Sequence, residues 1–228
     1  MASRVHVRSA LAAALGFLQD EIESINAVRA PRVHRFLVDR DAARAVGAEP
    51  RAAEELLVAG AEDAVDVGLF LDDEAMAATA AAGLHRRAAR LFARRRLDGV
   101  ACVAEGVSHF VYFATRAEVD RPVSLLELEV QAEVDKFALF VLHLWRRGRR
   151  RLSSALRRRL FERVRYHPHL APEELERYRT ANGLAAGYAR WLEGRFVARA
   201  NADGLFRELR STYRLGAGDK LGYLGSRG

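Results

Sequence analysis

The chain has 228 residues, 50% of them hydrophobic and 8% aromatic, with one cysteine and a formal net charge of +7. That length accommodates one large domain or two small ones. The single Cys102 rules out an internal disulfide and a zinc site built on cysteines, and no apolar run reaches the ~18 residues of a bilayer span. The expectation is a soluble, cytoplasmic chain without a transmembrane segment.

Near the start, Arg4 and Arg8 precede a short apolar run from Ala10 to Leu18, but Gln19, Asp20, Glu21 and Glu23 follow at once. Leu11, Leu15, Leu18, Ile22 and Ile25 keep one stripe at a spacing of three to four, which predicts an amphipathic helix over 9–28 and not a signal peptide. Pro31 stops it. Residues 32–39 (RVHRFLVD) read as a strand, and 41–46 as a short helix ended by Gly47 and Pro50. Over 54–71, strict alternation of Val65, Val67, Leu69 and Leu71 and turn residues at 60–63 predict a β-hairpin. Asp72 or Asp73 then caps an Ala-rich helix over 74–95, interrupted at Gly83.

Beyond Asp98 the strand signals stop, and helices are predicted over 99–117, 123–146, 152–165, 173–199 and 202–213. Asp98 caps the first of these, and Pro122 and Ser124 open the second. The fold class is therefore α+β, mostly α. A small helix/strand/hairpin unit (1–97) precedes an all-helical bundle (98–215) built on an antiparallel helix pair, and a flexible Gly-rich tail (216–228) follows. Within that tail Leu221, Tyr223 and Leu224 are the residues able to dock.

The helix pair 99–117 and 123–146 is apolar nearly all round, the pattern of buried helices. Its few polar residues fall at helical spacing. Glu105, His109, Tyr112 and Arg116 line one side of the first helix, and Glu129, Glu133, Lys136 and His143 share a line on the second. Antiparallel packing about a turn near residue 120 sets His109 level with 131 and Glu105 level with 135. Three carboxylates and an imidazole are thereby expected at one height. Glu105, His109, Glu129 and Glu133 suit one zinc, manganese or iron ion. Clustered carboxylates would equally serve acid/base chemistry, or form a structural network neutralised by Arg116 and Lys136. The Glu-x-x-x-His spacing departs from the Glu-x-x-His of ferritin-like bundles.

The positive charge is local. Residues 146–165 hold ten arginines against Glu162 alone, and only Lys136 and Lys220 among the 37 basic residues are lysines. Arg149, Arg150, Arg157, Arg158 and Arg165 crowd one side of a helix whose apolar stripe is Leu152, Leu156, Leu160 and Val164. Such a helix fits nucleic acid, an anionic surface or an acidic partner. The alternative is a solvated face paired with Glu173, Glu174 and Glu176. His167 and His169 form a further weak metal signal, and Ser108, Ser153 and Ser154 lack the context of a hydrolase nucleophile.

The reading that demands the least unusual chemistry is a non-enzymatic protein acting through protein contacts of its helical half and basic helix. Its protein partner is unidentified, and no catalytic residue is assigned. A metal-binding protein or metal-dependent enzyme with the Glu/His site is one alternative. A nucleic-acid or anionic-surface binder using Arg146–Arg165 is the other.

Overall fold

The computed structural model describes residues 2–61, 64–84, 94–164, 166 and 170–228. Among the described residues the fold is α+β and mostly α, with nine α-helices and one three-stranded sheet. Tertiary contacts divide the chain into two compact units, Met1–Glu21 with Arg29–Ala114, and Ile22–Val28 with Thr115–Gly228. The divisions fall inside α1 (Ala2–Asn26) and α4 (Arg94–Ala117), so most of α4 belongs with the sheet that precedes it.

In the first unit β2 (Glu54–Ala61) and β3 (Ala64–Leu71) form the antiparallel hairpin, in register from Glu54 opposite Leu71 to Ala61 opposite Ala64. Its expected turn includes residues 62 and 63, which lie outside the described residues. The alternating side chains share a face, yet burial fades toward the tip: Leu69 and Leu71 are buried while Val65 is 54% exposed. The strand expected over 32–39 is a 3-10 turn, Val33–Arg35, followed by only a two-residue strand, β1 (Leu37–Val38), parallel to β3. Buried Gln19 of α1 fixes that turn: its Nε2 donates to the Pro31 carbonyl (2.9 Å) and its Oε1 accepts from Val33 N (3.0 Å). α2 (Arg40–Ala45) follows, with Asp39 as its N-cap.

α3 (Asp73–Ala82) is capped by Asp72, whose carboxylate accepts from Ala75 N at 2.7 Å, and it ends at Gly83 in the left-handed region (φ 58°). The continuation expected to residue 95 includes 85–93, outside the described residues. α4 buries Val100, Val103, Val107, Phe110 and Val111. It approaches the hairpin so closely at Gly106 that a β-carbon there would lie 3.1 Å from Leu69 Cδ1 and 3.2 Å from Leu71 Cδ2. Phe110 also meets Phe36, ring centres 4.8 Å apart.

The second unit is all-helical. α5 (Leu125–Arg146), capped by Ser124, is buried almost all round and packs chiefly on α7 (Pro172–Leu192). α6 (Ser153–Phe161) is shorter than the 152–165 expected, and α7 passes into a π-helical turn, Glu193–Val197. α8 (Ala202–Arg214) precedes α9 (Ala217–Gly225), which occupies the tail expected to be loose. α9 docks because Lys220 and Leu224 are both buried. No helix among the described residues is long and apolar enough to cross a membrane.

Candidate functional site

The first unit carries a buried Glu/His group. His109 stands on α4 one turn after Glu105, and the i,i+4 spacing sets both on one face, their ligand atoms within 4.8 Å of one another. Behind the imidazole, Glu54 of β2 places Oε2 3.3 Å from His109 Nδ1. Only 7% of the His109 side chain and 12% of the Glu54 side chain are exposed. Glu54 reaches the helix because Gly106 leaves room: a β-carbon at Gly106 would sit 3.0 Å from Glu54 Oε2.

This arrangement has chemical consequences. With Glu54 ionised, the imidazole proton is drawn to Nδ1, which leaves the Nε2 lone pair as the ligand or base atom. A carboxylate behind a histidine is the usual device that orients a metal-bound imidazole and raises its basicity. Glu54 was not among the residues expected from sequence, where it is merely the first residue of a strand. The available signal was Gly106, an interior helix glycine costing about 1 kcal/mol against alanine, which marks a close backbone approach.

In the second unit the polar side chains of α5 have nearby partners. Glu133 Oε1 accepts from Lys136 Nζ at 2.9 Å, and Glu129 Oε1 lies 3.7 Å from Arg177 Nε on α7. Arg116 donates to the carbonyls of Tyr213 (2.7 Å) and Leu215 (2.6 Å), capping the C-terminus of α8, with Glu127 Oε1 at 3.7 Å. Burial, followed by the charges of Arg147 and Arg146, pushes the His143 imidazole down to about 4.

A second polar group in this unit went unforeseen. Asp135 Oδ1 accepts from Asn26 Nδ2 and Gln131 Nε2, both at 2.9 Å, and Gln131 Oε1 accepts from Lys220 Nζ at 2.8 Å. Lys220 is 0% exposed, with its ammonium 5.5 Å from the Tyr213 ring centre. Burial pushes its pKa down to about 7 against the opposing pull of Glu127 and Asp135, while Arg116 adds to the lowering. The sequence signal was the lysine itself in a chain whose basic residues, Lys136 apart, are otherwise arginine. An amine can shed its proton on burial and a guanidinium cannot.

The basic segment is split by its surroundings. Gly148 (φ 67°) separates it from α5. Arg150 lies over the Trp145 ring at 5.6 Å, and Arg157 donates Nε to Glu193 at 3.0 Å with Glu162 at 3.4 Å. Glu193 also accepts from Ser153 (2.6 Å) and Ser154 (2.7 Å). Burial alone would raise its pKa, but these donors together hold it below the usual carboxylate value. Arg149 and Arg158 are exposed, as are Arg151 and Arg163, which the sequence reading did not single out. Arg165, His167 and His169 lie outside the described residues.

No protein-family model matches the chain, and no curated protein or solved structure is significantly similar to it. The site's own chemistry is therefore the basis for any functional reading.

Proposed function

We propose that the protein binds one divalent transition metal, zinc, manganese or iron, through Glu105 and His109 of α4. The observation that carries this reading is the pairing of His109 Nδ1 with Glu54 Oε2 at 3.3 Å, one turn from Glu105. Glu54 then acts as the orienting partner and His109 Nε2 as the ligand, a mixed oxygen and nitrogen donor set that suits these ions. The bound ion would supply charge stabilisation and, with an open coordination position, an acidified water. Metal titration of untagged protein tests the reading. Saturable binding should be lost in H109A and E105Q, whereas retention of full affinity in both variants removes the site.

A second reading is action through protein contacts of the helical half. It is favoured by Val119 and Leu125, which are 59% and 60% exposed beside the turn leading into α5. Substituting both by aspartate should abolish co-purification of a stoichiometric partner without unfolding the chain. A partner retained by the doubly substituted protein would count against this surface.

A further inference from the structure

The arginine-rich segment is not absorbed by the metal reading and shares no residue with it. Six of its ten arginines fall into two groups. Arg157 is committed to Glu193 and Glu162, and Arg150 to the face of Trp145. Arg149, Arg151, Arg158 and Arg163 are exposed and make no ion pair among the described residues. Among the described residues none of Glu173, Glu174 and Glu176 of α7 forms an ion pair with them; Glu174 accepts from Ala171 N (2.9 Å) and Glu176 from Thr180 Oγ1 (3.5 Å). Arg151, Ala155 and Arg158 recur at helical spacing and are all exposed; Arg158 lies on α6, Arg151 in the 3-10 turn before it, and Arg149 and Arg163 flank the helix at its two ends.

An amphipathic helix binds a bilayer by burying its apolar face between the headgroups. Here that face is already used: Leu156 and Phe161 are 4% and 5% exposed, packed within the second unit. Leu152 and Val164 remain outside only as isolated side chains at the two ends of the segment. What α6 and its flanking residues offer outward is a set of exposed guanidinium groups, whose planar donors match phosphate oxygens. Among the described residues no set of exposed aromatic rings accompanies them for stacking on bases.

We infer that Arg149, Arg151, Arg158 and Arg163 form a surface that binds the phosphodiester backbone of a nucleic acid without base specificity. Four phosphate contacts set the salt dependence. Between 50 and 200 mM salt the affinity should fall about 50-fold for a single strand and about 150-fold for a duplex.

Fluorescence anisotropy with a labelled oligothymidine, an oligouridine and a mixed-sequence duplex tests this on the full chain. The expected result is micromolar binding at 50 mM salt to all three probes, with the stated salt dependence. Changing the four arginines to glutamine should weaken binding at least about tenfold, because these contacts supply the electrostatic attraction on which non-specific binding depends. The same change at Arg195, Arg199 and Arg207, also exposed in this unit, should have little effect. No binding at 50 mM salt overturns the inference. So does binding unaltered by the quadruple substitution, or stronger arginine-dependent binding to phosphatidylserine vesicles than to any oligonucleotide. Circular dichroism confirms that each variant is folded before its result is read.

Discussion

Glu54, the first residue of β2, and His109, in the middle of α4, are 55 positions apart in sequence and 3.3 Å apart in the fold. Replacing Glu54 by glutamine removes the carboxylate that faces Nδ1 but keeps the side chain's shape. If His109 is a ligand, E54Q should lower metal affinity by about 10- to 100-fold, the usual effect of losing the carboxylate behind a ligating histidine. Isothermal titration with zinc measures this. Unchanged affinity in a folded E54Q protein would leave Glu54 with a purely structural part.

Lys220 makes stability depend on pH in a defined direction. Its folded pKa of about 7 lies below the ordinary 10.5, so between those values the unfolded chain binds more protons than the folded one. Stability should therefore rise as pH increases from about 7, and this group adds no slope below that. Tyr188 and Tyr213, whose hydroxyls burial pushes above their usual range, oppose the rise only above about pH 10, where unfolded tyrosine ionises. Urea midpoints measured between pH 7 and 9.5 should climb in the wild type and lie flat in K220M. A slope that survives in K220M would mean that another group is responsible.

Glu193 joins α6 to the end of α7 by accepting from Ser153, Ser154 and Arg157. E193A leaves those donors without their acceptor and should cost about 2 kcal/mol, seen as a lower melting temperature at neutral pH. Because the folded carboxyl titrates below its ordinary value, the contribution is present at neutral pH and is lost as pH falls through the folded pKa. The wild type and E193A should thus converge in strongly acidic solution. A constant difference across pH would point to packing instead of charge.

What the sequence made legible was local. The hairpin showed as alternation from Val65 to Leu71, α5 began at the Ser124 cap, and α3 began at Asp72. These signals lie within a few residues of one another. The face periodicity of α4 also identified Glu105 and His109 as polar residues on a largely apolar helix. Glu54 was invisible because its partner arrives through tertiary packing at Gly106. The strand expected at 32–39 shrank because Gln19, more than ten residues away, holds Val33 in a turn. α9 was missed because its glycines suggest a loose chain, whereas Lys220 and Leu224 tie it down through contacts that composition does not encode.

Metal stoichiometry tests the central claim most directly. Untagged protein should be exposed in turn to zinc, manganese and iron, freed of excess ion by gel filtration, and analysed by inductively coupled plasma mass spectrometry. The account predicts about one ion per chain for at least one of these metals, since a single set of Glu and His donors serves one ion. That ion should be absent from H109A and E105Q. A folded wild-type protein that retains no stoichiometric metal under any of the three conditions would contradict it.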